Sequence, residues 1–289
     1  MELGGGMSEG GIYRAGWTLD EVNWSRFDAS KVDADLLAAV KAAAMVEYHA
    51  PTYVEYLSRV YRGAPGSTIE AIERWGQEEV QHGLALARWA ALADPCFDFD
   101  EAFARFRAMY RPAHFSGDGG SVRGSRRGEM ISRCVVESGT SSYYSAMREA
   151  CEEPVLKEIA GRIAADEFRH YRLFYDILQA QDEPDLPLWR KIMVAIGRVN
   201  ESDDDELSCA YYCANVPASE TEKTPYKREV YARAYHAKAV AMYRRHHIDK
   251  LVKMVALPAG INPAGLFSRL ASAVLWRVIR QRAGQFRTA

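Results

Sequence analysis

The feature that most constrains this chain is a short pattern that occurs twice, as "EEVQHG" and as "DEFRHY". In each copy an acid precedes a glutamate, and a histidine follows that glutamate by three residues. Residues three apart on a helix share one face. Glu79 and His82 can therefore present a carboxylate and an imidazole to one point, and so can Glu167 and His170. The composition predicts only roughly 0.07 such matches by chance, so the repeat indicates two metal-binding helices.

Each motif-bearing helix has a predicted partner helix that supplies one more glutamate. The apolar stretch before the first motif contains Glu47, and Glu137 follows the apolar "CVV" before the second motif. The separations agree, because 79 minus 47 is 32 and 167 minus 137 is 30. At about 1.5 Å per residue, the two glutamates of each pair lie at the same depth in a helical hairpin. The chain is therefore predicted to contain two copies of one hairpin around a shared centre.

Apolar residues at three- and four-residue spacing, without alternating β-branched runs, predict an all-α fold. The first helix is expected to run from Asp33 to Arg62 with a kink caused by Pro51. The second is expected to run from a cap at Ser67 to Ala93. Further helices are predicted at 99–110, 129–151, 154–181, 187–199, 206–215, 224–256 and 263–282.

The predicted organisation is a flexible N-terminal segment followed by one helical domain. Residues 1–28 begin with the glycine-rich "MELGGGMSEGG", which lacks the apolar run of a secretory signal. Residues 29–289 are expected to form a single domain, with a metal-binding bundle at 33–182 and accessory helices at 186–283. The acidic run at 201–206 is interpreted as a solvated helix start.

Charge, cysteine usage and hydropathy limit the function classes. The formal net charge of -2 gives no basic excess for nucleic acid. The five cysteines include no CxxC pair, so they predict neither a disulfide framework nor a zinc site and fit a reducing cytoplasm. The apolar segment 266–281 is interrupted by arginines and is shorter than the roughly 20 apolar residues that span a bilayer. It is predicted to be an amphipathic helix that closes the core, with a helix on a membrane surface as the alternative.

Four glutamates and two histidines in a helical bundle form the ligand set of two carboxylate-bridged irons. Oxygen and nitrogen donors suit iron or manganese better than they suit a thiolate-dependent metal. Glu78 and Asp166 also lie on the histidine-bearing faces, so spacing alone leaves the choice within each acid pair open. Glu79 and Glu167 are the preferred ligands, with Asp166 accepting a hydrogen bond from a ligand histidine; Glu55 is expected at the surface. The predicted metal ligands are Glu47, Glu79, His82, Glu137, Glu167 and His170.

Four longer strings resemble the soluble acyl-acyl-carrier-protein desaturases of the ferritin-like di-iron superfamily. In "EYHAPTY", Glu47 stands four residues before the Pro-Thr-Tyr triplet, and in "WGQEEVQHG", Trp75 stands four before the motif glutamate. In "ESGT", Thr140 follows Glu137 by three residues, and "IAADEFRH" is the fourth string. The similarity covers about residues 30–182. Glu-x-x-His alone indicates only the superfamily, whereas the triplet and "IAADEFRH" together indicate the desaturase branch.

This resemblance implies a ferritin-like four-helix bundle with a di-iron centre (Fe2+/Fe3+), the same six ligands and additional C-terminal helices. It places Thr140 beside the oxygen-binding face, although a hydroxyl bonded to its own helix is the alternative. Trp75 is expected to carry electrons together with Asp166 and His82, or else to serve as packing. The implied reaction is O2-dependent desaturation of a fatty-acyl chain on an acyl carrier protein, by a homodimer that receives two electrons from a ferredoxin-like donor.

The N-terminal region, the 111–128 loop and the C-terminal half depart from the family pattern, which leaves the acyl channel and the carrier-docking surface least defined. An acidic carrier needs a basic surface, which 123–128 ("RGSRRG") and 226–235 ("YKREVYARAY") can supply, although such clusters are commonly plain solvated faces. Gly139 leaves room either for a channel or for helix packing.

Two other function classes fit the same ligands. One is a di-iron oxygenase that hydroxylates or N-oxygenates a small molecule. N-oxygenases of that type add a third histidine one turn before the last motif, where this chain has Ile163. The other class is an iron-storage or peroxide-scavenging protein of the ferritin type, whose chains are shorter and rely on assembled cages or on a rubredoxin-like cysteine site.

Overall fold

The computed structural model describes residues 16–110, 112, 120–201 and 205–287. Within these residues the chain is all-helical, as predicted, and contains no strand. Three short 3-10 turns, at Leu19–Glu21, Trp24–Arg26 and Ala29–Lys31, precede the first α-helix. The α-helices are α1 (Ala34–Tyr48), α2 (Ala50–Val60), α3 (Gly66–Ala93), α4 (Phe99–Met109), α5 (Arg126–Ala150), α6 (Pro154–Gln179), α7 (Leu188–Asn200), α8 (Asp205–Asn215), α9 (Arg228–Met242), α10 (Arg245–Ala256) and α11 (Leu266–Arg287).

Two helical hairpins form the bundle that holds the motifs. Helices α1 and α2 pack against α3, α5 packs against α6, and the hairpins meet along α3 and α6. On α3, buried Ile72 and Trp75 belong to one apolar cluster, and buried Leu86 and Trp89 belong to another. The first motif lies between the two clusters, and the same division recurs on α5 and α6. The predicted ligands therefore form a polar layer between two apolar layers.

The first predicted helix is divided at His49 into α1 and α2. The backbone N–H of His49 still donates to the carbonyls of Met45 and Val46, and α2 then begins at Ala50 with Pro51 in its first turn. Because proline lacks the backbone donor and crowds the preceding turn, the helix is interrupted here. The predicted kink is present, immediately before the proline rather than at it.

Two predicted helix starts are wrong by a few residues. Helix α3 begins at Gly66 after Pro65, so Ser67 lies inside the helix and does not cap it. Helix α5 begins earlier than predicted because the Ser125 side chain accepts the backbone N–H of Gly128 at 3.0 Å. Serine is among the preferred N-cap residues, so the second cap was available in the sequence.

The later part of the chain contains two further differences. The single helix predicted over 224–256 is two helices, because Tyr243 and Arg244 adopt extended backbone between α9 and α10. The acidic run predicted to be solvated is partly internal, since Glu206 is buried and its Oε1 lies 2.9 Å from His49 Nδ1. Residues 202–204 of that run lie outside the described residues.

The predicted flexible N-terminal segment ends earlier than residue 28. Trp17 and Val22 are both 3% exposed and belong to the apolar cluster that contains Leu86 and Trp89. Burying a tryptophan removes a large apolar surface from water, which favours an ordered segment. The prediction is therefore wrong for 16–28, while 1–15 lie outside the described residues.

The basic segment "RGSRRG" is engaged within the chain. Arg123 pairs with Glu201 at 2.6 Å, from Nη1 to Oε1. Arg126 donates to the Arg62 carbonyl at 2.7 Å, and Arg127 donates to carbonyls just after α6. These arginines hold the ends of neighbouring helices together, so the segment offers few free cations to an acidic carrier.

Among the described helices, none has the length and apolar content needed to cross a membrane.

Candidate metal centre

The six predicted ligands converge in the polar layer of the bundle. Their exposed fractions lie between 0 and 8%. They come from α1 (Glu47), α3 (Glu79 and His82), α5 (Glu137) and α6 (Glu167 and His170). The structure therefore brings together the side chains that the two motifs and their partner helices predict.

These side chains form two overlapping groups whose ligand atoms all lie within 4.8 Å of one another. The first half-site consists of Glu47, Glu79, His82 and Glu167. The second half-site consists of Glu79, Glu137, Glu167 and His170. Because Glu79 and Glu167 belong to both groups, the two motif glutamates can each bridge a pair of ions.

The inner atoms of this layer lack hydrogen-bond partners in the described chain. His82 Nδ1 lies 3.3 Å from Glu167 Oε1, and His170 Nδ1 lies 3.1 Å from Glu79 Oε1. Neither Nδ1 forms a hydrogen bond, and the same is true of both carboxylate oxygens of Glu137. A buried polar atom without a partner costs about 1–3 kcal/mol. Cations between these atoms would supply the missing partners, so the residues present fit a metal centre.

The outer nitrogen of each histidine is bound by the acid of the other motif. His82 Nε2 lies 3.0 Å from Asp166 Oδ2, and His170 Nε2 lies 2.7 Å from Glu78 Oε2. An acceptor on Nε2 favours the proton there and turns the lone pair of Nδ1 towards the centre. The structure thus places Asp166 where the sequence predicts it, and it gives Glu78 the equivalent position on the other histidine.

Burial and mutual repulsion divide the four carboxyl groups into two kinds. Burial raises the pKa of Glu47 and Glu137 well above the ordinary value, and the charges of Glu79 and Glu167 raise it further. Burial alone would also raise the pKa of Glu79, but the adjacent imidazoles of His170 and His82 outweigh it and hold that pKa well below the ordinary value. The same histidines lower the pKa of Glu167 against burial and the Glu79 charge.

The two imidazoles respond in the opposite sense. Burial lowers the pKa of His82 and His170, but the carboxylates that surround each imidazole outweigh it and raise both pKa values well above the ordinary value. Without a cation, the layer therefore balances its charge with protons on Glu47, Glu137 and both imidazoles. Two divalent cations carry the same charge as those four protons.

A tryptophan that the sequence interpretation missed completes the His82 side. Trp17 Nε1 donates to Asp166 Oδ2 at 2.8 Å, and its ring stacks on His82 with centroids 6.2 Å apart. Trp75, which the resemblance suggested for this chain of contacts, instead packs edge-on against Phe174 with centroids 5.4 Å apart. The structure thus shows the packing alternative for Trp75, and its part in electron transfer stays a prediction. Because Trp17 lies in the segment predicted to be flexible, only its aromatic character could have indicated it.

One arginine links the two outer acids. Arg169 Nη1 contacts Asp166, and its Nη2 lies 3.6 Å from Glu78 Oε2. A Cβ at Gly16 would lie 2.4 Å from Arg169 Nη2, so a larger residue at that position would require the guanidinium to shift. Asp166 and Glu78 thus share the guanidinium of Arg169, and the N-terminal segment at Gly16 lies against that guanidinium.

Two hydroxyl groups contact the ligand carboxylates. Thr140 Oγ1 lies 2.5 Å from Glu167 Oε2 and 3.3 Å from two carbonyls of its own helix, so the carboxylate is its nearest acceptor. The Tyr144 hydroxyl donates to Glu47. Sequence interpretation missed Tyr144, although it lies two turns after Glu137 on the same face of α5.

Gly83 and Gly139 have different surroundings. A Cβ at Gly83 would lie 2.7 Å from Tyr48 N and 2.8 Å from Ala44 O, so α1 and α3 touch backbone to backbone beside Glu47. A Cβ at Gly139 would meet no atom within 4 Å. Helix packing therefore does not explain Gly139, whose Cβ direction, two residues after Glu137, points to a different side of α5 from the ligand layer.

A third group of possible metal ligands lies at the surface. Glu149 Oε1 is 2.8 Å from His246 Nε2 and 3.2 Å from His247 Nε2. However, His247 Nδ1 accepts the backbone N–H of Arg244 at 3.0 Å. A neutral imidazole that accepts at Nδ1 carries its proton on Nε2, so Nε2 has no lone pair for an ion. This group is not a fitting metal site.

The fold and these side chains define a class, an all-α bundle whose buried carboxylate and histidine clusters can hold metal ions. Neither a scan against protein-family models nor a search of the curated proteins found a match to this chain.

Proposed function

We propose that this protein is a di-iron, O2-dependent oxidoreductase that desaturates a fatty-acyl chain, carried by an acyl carrier protein or a similar acyl donor. The observation that carries this proposal is the pair of four-ligand groups that share Glu79 and Glu167. The resemblance of "EYHAPTY", "ESGT" and "IAADEFRH" to the ferritin-like desaturases supports the choice of substrate class.

The donor atoms support iron as the metal. All six predicted ligands offer carboxylate oxygen or imidazole nitrogen, which suit Fe2+ and Fe3+, with Mn2+ as the nearest competitor. No cysteine belongs to the two half-sites among the described residues, so soft thiolate metals have no ligand there. Four carboxylates also match the charge of two divalent ions.

Two bound irons would supply the reductive activation of dioxygen that unactivated carbon–hydrogen bonds require. Removing two hydrogens from an acyl chain while O2 is reduced to two waters consumes two further electrons and two protons. A ferredoxin-like donor is the proposed electron source. The contacts from Trp17 through Asp166 to His82 form a continuous route for those electrons from the N-terminal segment.

The second half-site is the proposed substrate side. Glu137 has two carboxylate oxygens without a hydrogen-bond partner in the described chain. Thr140, on the same helix, holds the hydroxyl proton at Glu167. On α6, Ile163 is fully buried in an apolar cluster. It occupies the position at which an N-oxygenase would carry its third histidine.

The test is reconstitution with defined components. The protein is loaded with Fe2+ without oxygen, its iron content is measured, and a reductase, ferredoxin and acyl-carrier substrates are added under air. We expect two irons per chain and an unsaturated acyl product identified by mass spectrometry. Glu137→Ala should lose the product and about one of the two irons, whereas Glu55→Ala, which changes an exposed glutamate on α2, should keep both irons and the product.

Other products would replace the proposal with a named alternative. A hydroxylated or N-oxygenated product would support an oxygenase. Oxygen consumption by the two-iron protein without any organic product would support peroxide or iron handling of the ferritin type.

A further inference from the structure

Helix α11 turns a face with large apolar residues outward. Ser268 and Ser272 are 3% and 4% exposed and form its buried face, where they bond Asn262 and Asp249. The outward face carries five large exposed apolar residues, namely Leu266, Phe267, Leu270, Val274 and Val278, whereas Leu275, Trp276 and Ile279 are half-buried. A surface helix normally turns its apolar face to the core. The prediction that this helix closes the core is therefore wrong for that face.

Helix α7 presents a second outward apolar face. The exposed residues are Leu188 (54%), Trp189 (66%), Met193 (62%), Ile196 (51%) and Val199 (47%). Trp189, Met193 and Ile196 are spaced by four and three residues and so lie on one side of the helix. Single exposed apolar residues need no explanation, but contiguous exposed apolar faces mark interaction sites.

Helix α7 and helix α11 come close together at the start of each helix. Leu188 begins α7, and its Cδ1 would lie 3.2 Å from a Cβ at Gly260. Gly260 belongs to the turn between α10 and α11, in which Leu257 is also 40% exposed. The start of α7 therefore lies against the turn that leads into α11.

The charges on both helices have one sign. Neither 188–200 nor 266–287 contains an aspartate or glutamate. Arg269, Arg277 and Arg280 are exposed on α11 and form no ion pair with the described part of the chain. Large apolar residues flanked by cations, with tryptophan among them, are the composition of a helix that lies in the interface of an anionic bilayer.

We propose that α7 and α11 together form a docking surface for an anionic lipid membrane. A second copy of this chain fits less well, because pairing two all-cationic faces brings like charges together. The proposal needs no membrane-spanning helix, since such helices lie along the surface. It is independent of the proposed function, because it uses no residue of the metal centre.

The experiment is vesicle co-sedimentation of the full chain. Vesicles of phosphatidylcholine alone are compared with vesicles of phosphatidylcholine and phosphatidylglycerol, at low and high salt. We expect binding to the phosphatidylglycerol vesicles that weakens with salt, since screening shortens the reach of the arginines. Trp189→Ser and Leu270→Ser should each weaken binding roughly tenfold or more, and Arg277→Gln and Arg280→Gln roughly fivefold each.

Matched control variants distinguish binding through this surface from non-specific adsorption of the protein to vesicles. Leu92→Ser, on α3 and 43% exposed, and Arg107→Gln, exposed on α4, should leave vesicle binding unchanged. Circular dichroism checks that each variant keeps its helicity. Absence of vesicle binding by the wild type would overturn the proposal, and so would equal losses in the control variants. Self-association, or capture of an acidic carrier protein, that Leu270→Ser abolishes while vesicles stay unbound would also overturn it and assign the face to that occupant.

Discussion

The two half-sites contain the same kinds of ligand but have different surroundings. At the first, the Tyr144 hydroxyl donates to Glu47, and Trp17 covers the outer side of His82. At the second, Glu137 has no hydrogen-bond partner among the described residues, and Gly139 faces open space. The duplicated hairpin therefore holds two similar, buried ion positions, of which the first has the more fully hydrogen-bonded ligands.

This difference indicates a division of labour within one ligand set. Hydrogen bonds that orient a ligand reduce its freedom to move, so the first half-site is the more rigid one. A carboxylate without such partners can change its position when another molecule binds. We therefore expect electrons to arrive on the Trp17 side and substrate to approach on the Glu137 side.

The largest expected effect distinguishes a shared ligand from an unshared one. Glu167 belongs to both half-sites, so Glu167→Ala should abolish binding of both irons. Glu137 belongs to the second alone, so Glu137→Ala should leave about one iron per chain. Iron analysis after gel filtration checks both variants against Glu55→Ala. Equal iron contents in the two ligand variants would contradict the division into half-sites.

Metal binding should weaken steeply as the pH falls. The pKa values of Glu47 and Glu137 are raised, so these groups hold protons in the metal-free protein at pH values where ordinary glutamates are ionised. The raised pKa values of both histidines add two more protons. Ions must displace these protons, so loading should release up to about four protons per chain. Calorimetry in buffers of different ionisation enthalpy measures this number, and a value near zero would contradict it.

Replacing the outer acids should weaken iron binding without removing a ligand. Asp166→Asn and Glu78→Gln should each lower iron affinity by roughly 10–100-fold, because these carboxylates orient the ligand histidines. Only the Asp166 side connects to Trp17. Trp17→Phe should therefore slow reduction of the iron-loaded protein by ferredoxin in stopped-flow measurements, while Trp75→Phe should not. Equal slowing by both would contradict the route.

The glycines should give the smallest but most selective difference. Gly83→Ala forces a Cβ against the backbone of α1, which we expect to lower the free energy of unfolding by about 1–3 kcal/mol. Gly139→Ala meets open space and should be neutral or raise it by up to about 1 kcal/mol, because alanine favours the helix. Urea unfolding of the metal-free proteins measures both. A larger loss for Gly139→Ala would show that its space is needed for packing.

The ligand layer was predictable because its signal is local. Helical periodicity alone puts Glu79 with His82 on one face, and the near-equal separations to Glu47 and Glu137 fix the depth of the partner residues. The kink at Pro51 was predictable for the same reason, since the cause lies within one turn of the effect.

The remaining features depend on contacts between distant parts of the chain. Trp17 meets Asp166 and Glu206 meets His49 only after the helices pack. The break before α10 depends on a histidine that caps its own helix, a role with no strong sequence preference. For α11, the sequence indicated an amphipathic helix but could not say which face turns inward, because that depends on what else covers the other face.

The most direct test is anomalous diffraction at the iron edge from crystals of the iron-loaded protein. Two peaks are expected in the polar layer, one among Glu47, Glu79, His82 and Glu167, and one among Glu79, Glu137, Glu167 and His170. No peak in that layer, or iron only at Glu149 and His246, would contradict the di-iron centre.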